Sequence, residues 1–263
     1  MKRFGTLCLL LVAGVTVPLA LAQRPRVLLS GEWQFRLDPG QAGVREEWYQ
    51  PGATLPHPIA VPGCWEAQGF GEETNQVRHT FVGWGWYQRR FAVPAEWSGR
   101  RVFLHVGAVH RSAHTWLNGT FVGRHLGYVT AFEYDVTELV RPGARNCLAL
   151  LVDSAQHVEV DGLAGCLDTY DFIRWGGIYR DVWLEARGEA WLEDAFVRSE
   201  GGGATAHITA NVRGSGEGLV AECRLLPVAG GPSCEGRTSV TGSPDGATVH
   251  LRVPTPGARL WSP

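Results

Sequence analysis

Bond-breaking chemistry without a cofactor needs two ionisable groups that face each other, and few pairs in this chain qualify. Glu72 and Glu73 stand side by side, but neighbours on a strand project to opposite faces, so they make a poor acid and base. His110 and His114, four apart on a strand, would share a face and have chelating spacing. No third ligand accompanies them, and no metal is expected. Glycine-rich stretches carry no phosphate-cradling pattern between strand and helix, so no nucleotide or other cofactor is implied. Tryptophan is the abundant functional material. Trp84 and Trp175, in glycine-flanked loops, offer flat apolar faces that suit the C–H side of a pyranose whose edge is held by polar neighbours. Core packing explains such residues as well, and for Trp86, inside a strand, it is the better account.

Lys2 and Arg3, an apolar run from Leu7 to Val17 and the small-x-small triplet Ala20-Leu21-Ala22 form the pattern of a cleavable leader over residues 1–22. The run is shorter than the ~20 residues a spanning helix needs, and Pro18 interrupts it. An exported protein without a membrane anchor is expected. Formal charge is −2 with no cationic block, which disfavours nucleic acid and anionic membrane as partners. After Cys8 in the leader, Cys64, Cys147, Cys166, Cys223 and Cys234 remain, an odd number too sparse for a disulfide scaffold and without C-x-x-C spacing. Cys223 and Cys234 could close a local loop; the other pairings stay open.

Short β-branched and aromatic runs separated by Gly, Pro, Asn and Asp recur nearly everywhere, while helical periodicity is never sustained for three turns. The chain is therefore expected to be all-β. Strands are predicted near 86–93, 101–106, 113–117, 120–123, 146–152, 181–186, 191–197, 206–212, 219–225 and 247–253. Asn118-Gly119 marks a tight hairpin, because both residues tolerate positive φ. Asn118-Gly119-Thr120 also fits a glycosylation acceptor, but backbone geometry already accounts for the pair. After Gly188 the texture changes to shorter strands and Gly/Ser/Pro loops, which places a domain boundary there.

Four motifs then occur in a fixed order. Trp86-Tyr87-Gln88-Arg89-Arg90-Phe91 resembles a "WYxRxF" strand, and the run from Gly107 to Gly119 resembles a "VxxxxxVWLNG" hairpin. The segment from Thr130 to Thr137 is similar to "YTPFExDVT", and that from Gly176 to Val182 to "GIxRDV". Together they resemble the N-terminal sugar-binding jelly roll of family 2 glycoside hydrolases, the family of β-galactosidases, β-glucuronidases and β-mannosidases. The resemblance implies a galactose-binding-like jelly roll over residues 23–188, then an immunoglobulin-like sandwich over 189–263. Leu260-Trp261-Ser262-Pro263 looks like a passage before that sandwich's last strands, so the sandwich is expected to be incomplete and the catalytic (β/α)8 barrel absent.

Family members are retaining hydrolases with two glutamates about 5–5.5 Å apart on the barrel. The family's acid/base glutamate follows an asparagine, and no asparagine here precedes a glutamate. The resemblance thus implies no catalytic residue in this chain and a β-linked saccharide as ligand. It also places Asp171, ahead of Gly176-Gly177-Ile178, where a loop aspartate contacts the sugar's hydroxyls; an ionised carboxylate is a strong acceptor for two vicinal hydroxyls. A solvated loop aspartate is the plain alternative. Arg174 could hold Asp171 or a ligand oxygen, or stand free in water. A stand-alone secreted carbohydrate-binding module and a purely structural sandwich are the rival readings.

Overall fold

A computed structural model describes residues 8–13, 24–74, 78–127, 129–155, 175–214, 216–226, 233–241 and 246–258. The chain separates into one compact unit of residues 24–186 and another of residues 1–23 with 187–263. Both are all-β; helical structure among the described residues is confined to three-residue 3-10 turns such as Glu66–Gln68 and Ala95–Trp97. No helix there is long and apolar enough to cross a membrane.

The unit of 24–186 is a sandwich. Its larger sheet has the order Thr120–Leu126, Ser112–Leu117, Arg145–Asp153, Trp84–Ala92, Gly31–Asp38, His57–Val61. The facing sheet runs Phe132–Asp135, Arg101–Val106, Val182–Arg187, Arg26–Leu28. The central strand Arg145–Asp153 shows why the composition demands two buried faces. Its alternate residues Leu148, Leu150 and Val152 join the core between the sheets, while Ala149 and Leu151 face a second cluster with Trp48, Leu55, Trp86 and Trp116. A strand buried on both faces reads as a continuous apolar run, which is what Cys147 to Val152 is.

Asp38 closes the second cluster. It is 2 % exposed, accepts the backbone N–H groups of Ala42 (2.8 Å) and Gly43 (2.9 Å), and accepts the Trp86 indole N–H at 3.0 Å. One carboxylate thereby folds the turn from residue 42 onward against the sheet's outer face and fixes Trp86 in its rotamer.

The Asn118-Gly119 hairpin is present, with φ of 54° and 86° and Leu117 opposite Thr120. The Asn118 amide donates to the Leu139 carbonyl (2.8 Å) and Asn146 Oδ1 (2.9 Å), and its oxygen accepts Cys147 N–H. Its nitrogen is committed to the fold, which removes the glycosylation reading. Cys64, Cys147, Cys223 and Cys234 are free thiols. The local loop that Cys223 and Cys234 could have closed fails on register: Cys223 lies opposite Gly236, and Cys234 opposite Leu225. Cys166 lies outside the described residues.

In the other unit, Ala190–Glu200, Thr205–Gly214 and Ala247–Pro254 form one sheet, and the backbone of Cys8–Ala13, Val220–Leu226 and Cys234–Ser239 another. Ile208, Val212, Leu225, Leu251 and Val253 fill the space between. Of the expected leader only the backbone of 8–13 is described.

Replacing Asp38 by alanine orphans two backbone donors and an indole N–H in the interior. Unfolding free energy should fall by about 3 kcal/mol, as when one partner of a buried charged hydrogen-bond set is removed. Urea denaturation monitored by tryptophan fluorescence measures it, and a loss below about 1 kcal/mol would refute the role given to Asp38.

Candidate functional site

Beside its two main sheets, the unit of 24–186 has a narrow three-stranded ribbon. Gly63–Cys64 pairs with Gly177–Ile178, which pairs in turn with Val109–His110, so that Cys64, Gly177 and His110 lie side by side. Glycine is required in the middle: Gly177 has φ 135°, and a Cβ there would approach Gly63 O to 2.5 Å. Around this ribbon converge Trp65, Glu66, Gly83, Trp84, Arg111, Asp153, Ser154, Trp175 and Gly176, brought from five separate parts of the sequence.

Trp65 is the fixed point. Its ring is fully buried, and its backbone N–H donates to Gly176 O at 3.0 Å. Its indole N–H donates to Phe81 O at 3.3 Å. Ser154 Oγ accepts Gly83 N–H at 3.1 Å, and Ser154 N–H donates to Gly83 O at 2.9 Å. Asp153 Oδ1 accepts Ala155 N–H at 2.8 Å. Ser154 and Ala155 on one side and Gly176 on the other are thus each pinned by hydrogen bonds. Asp171 and Arg174, expected to contact the sugar, belong to the segment between them and lie outside the described residues.

Glu66 escapes the sequence reading. It is 8 % exposed, and Gly176 N–H lies 3.0 and 3.1 Å from its two carboxylate oxygens. Burial pushes its carboxyl up to about 7 against the Gly176 N–H, which favours the ionised form. The only sequence cue is an acidic residue beside a tryptophan after Val61-Pro62-Gly63. Arg111 escapes as well: it interrupts the apolar spacing between Val109 and Ala113, yet it is 7 % exposed. Its backbone N–H donates to Asp153 O (2.9 Å) and its carbonyl accepts Gly127 N–H (3.1 Å).

Of the two expected stacking faces, Trp84 is half-buried at the strand start opposite Asp38 and Asp153, packed beside the Trp86 cluster. Trp175 is 55 % exposed. Trp86 is wholly buried, as a core residue should be. His110 and His114 do not share a strand: His110 pairs with Gly177 in the ribbon, whereas His114 pairs with Leu151 in the large sheet and stacks on Trp116. Among the described residues no group of three His, Cys, Asp or Glu could hold a metal. Glu72 and Glu73 are both exposed on a two-stranded hairpin.

Residues 27–187 match the family described as "Glycosyl hydrolases family 2, sugar binding domain". The β-glucuronidase of Paenibacillus borealis is 25 % identical over 89 % of this chain and 40 % of its own length. That of Felis catus is 29 % identical over 97 % of this chain and 41 % of its own length. A Thermoanaerobacter pseudethanolicus β-galactosidase is 35 % identical over 42 % of this chain and 15 % of its own. The fold matches Ruminococcus gnavus β-glucuronidase in complex with D-glucuronic acid, with TM-score 0.70 at 24 % identity, over 94 % of this chain and 42 % of that one. The chain thus spans about two fifths of the length of these β-glucuronidases.

The environment of Glu66 has a measurable signature. Its carboxyl holds a proton more tightly folded than unfolded, so the stability it confers is full below about pH 4.5 and drains away as pH rises to about 7. Glu66→Gln, which keeps an acceptor for Gly176 N–H, should remove that pH dependence. In urea unfolding at pH 5, 6, 7 and 8 the variant should gain steadily on the wild type up to pH 7 and then run parallel. A constant difference across the series would show that Glu66 has an ordinary carboxyl.

Proposed function

We propose, because this chain belongs to family 2 of the glycosyl hydrolases, that it is the sugar-contacting part of an exported β-glucuronidase-like enzyme. In this reading the ribbon end of the sandwich holds the sugar, and bond breaking falls to a carboxylate pair in a further catalytic domain. The observation that supports it is the double anchoring of the segment bearing Asp171 and Arg174. Its start is held by Ser154 on Gly83 and its end by Trp65 and Glu66 on Gly176.

The chemistry follows from the division of roles. A pyranose presents an apolar face and an edge of hydroxyls, so a site needs one flat ring and a few strong acceptors. Trp175 supplies an exposed ring next to the anchored Gly176, with Trp84 half-buried at the adjoining strand start. Asp171 supplies the acceptor, and Arg174 orients it or takes a ligand oxygen. Neither Glu66, whose two oxygens lie against one backbone N–H, nor the neighbouring pair Glu72 and Glu73 is placed for displacement at an anomeric carbon. Export rests on the leader pattern of Lys2, Arg3 and the Ala20-Leu21-Ala22 triplet.

The purified chain should bind p-nitrophenyl β-glycosides without releasing p-nitrophenol. In protein-detected NMR the indole signals of Trp84 and Trp175 should shift on titration, and Asp171→Ala should weaken binding by about tenfold, the worth of one charged hydrogen bond. Turnover at enzyme-like rates that survives Asp171→Ala would overturn the division of roles.

A further inference from the structure

The sheet of Ala190–Glu200, Thr205–Gly214 and Ala247–Pro254 turns Val197, Ile208 and Leu251 to the core and alternate residues outward. Two rows of cross-strand neighbours stand on the outer face: Phe196, Thr209 and His250, then Arg198, His207 and Arg252. They line a cleft of about 600 Å³. The acids on these strands are already taken: Glu193 by Arg213 (2.8 Å), Asp194 by the Asn211 amide (2.8 Å) and Glu200 by His207. Arg198 and Arg252 are exposed and have no hydrogen bond or ion pair among the described residues. They flank His207 from opposite sides, so their backbones are two strand spacings apart, ~10 Å. Phe196, in the adjoining row, is 69 % exposed.

Two uncommitted guanidinium groups and one bare ring on the same face define an occupant that is anionic and partly flat. Each guanidinium fork matches two oxygens of an oxyanion. An exposed ion pair is weak and screened by salt, so a single small anion gains little here. A polymer with anions fixed along its length does better, because its second contact follows the first at high effective concentration. A protein surface fits less well, since the core of such an interface is a cluster of apolar and aromatic side chains, and Phe196 is the one large apolar side chain exposed on this face. A pyranose needs only one ring for its C–H side. Sulfate esters stay ionised throughout the pH range of a folded protein and give a sugar chain dense, fixed charge. We infer that this face holds a sulfated polysaccharide, with Arg198 and Arg252 on separate sulfates and the Phe196 ring against a neighbouring sugar. The face lies wholly within residues 187–263 and shares no residue with the sugar site proposed above, so either can fail without the other.

The test titrates the full chain with dextran sulfate and with dextran, which share a backbone and differ in sulfate. Calorimetry should give at least about tenfold tighter binding of dextran sulfate. The double variant Arg198→Ser/Arg252→Ser should lose that tenfold, and each single variant or Phe196→Ser about threefold. All these side chains are exposed, so the thermal unfolding temperature should stay at the wild-type value; if the double variant unfolds early, the single variants carry the test. Arg213→Ser removes the same charge from the same face, but that guanidinium is already paired with Glu193, and dextran sulfate binding should be retained. Equal affinity of the wild type for the two dextrans would overturn the inference. A loss in Arg213→Ser as large as in Arg198→Ser would also overturn it, by showing that only net charge matters. Poly-L-glutamate or polythymidylate competing as well as dextran sulfate would assign the face to acidic peptide or nucleic acid instead, again against the inference.

Discussion

The space between the Trp65 indole and the Gly176 backbone holds nothing larger than a hydrogen atom. A Cβ at Gly176 would fall 1.7 Å from Trp65 Cζ2, inside the ring itself. This contact lets the ring lie flat against the returning chain. It brings Trp65 N–H within reach of Gly176 O and Glu66 within reach of Gly176 N–H. The indole N–H meets Phe81 O, and the same carbonyl lies 3.5 Å from Ser154 Oγ. The departing and returning strands are thereby registered to each other through one core side chain. Trp65 also packs on Phe35, at 6.0 Å between ring centroids, so the registration passes directly into the main core.

The abundance of tryptophan serves the fold first. Trp33, Trp65 and Trp97 fill the space between the sheets, and Trp48, Trp86 and Trp116 cover the outer face of the larger one. Tyr49 lies parallel to Trp116 at 5.1 Å and closes that cover. Trp183 is stacked under His105 at 4.8 Å with Arg26 over its ring. Among the described indoles at the ribbon end, this leaves Trp175 exposed and Trp84 half-buried.

The strands at the centre of each sheet are legible in the sequence because burial on one or both faces imposes a pattern, as in Arg101–Val106 and Arg145–Asp153. Gly31–Asp38 carries Trp33, Phe35 and Leu37 at alternate positions and is legible by the same rule, although it was not among the strands predicted. His57–Val61 is obscured by Pro58, which an edge position tolerates. Cys234–Ser239 has almost no apolar content and becomes a strand only because Val220–Leu226 offers it a partner. The site divides in the same way. Trp84 and Trp175 stand out by residue type and glycine flanks, and the order of motifs points to Asp171 and Arg174. Glu66 and Arg111 look like ordinary surface charges, since their burial arises from pairing between strands more than 60 residues apart in sequence, as Cys64 with Gly177.

The two hidden charges carry a common physical consequence. A protein gains little by burying an isolated ion, because the lost hydration exceeds what a few fixed dipoles return. Here Glu66 and Arg111 are both held largely out of water. Glu66 is tolerated because it shares Gly176 N–H and takes up a proton readily, so its cost is bounded by titration. Arginine has no such exit, as a guanidinium does not lose its proton in the physiological range. A buried arginine must therefore be matched by an anion or be carried as a standing cost by the surrounding core.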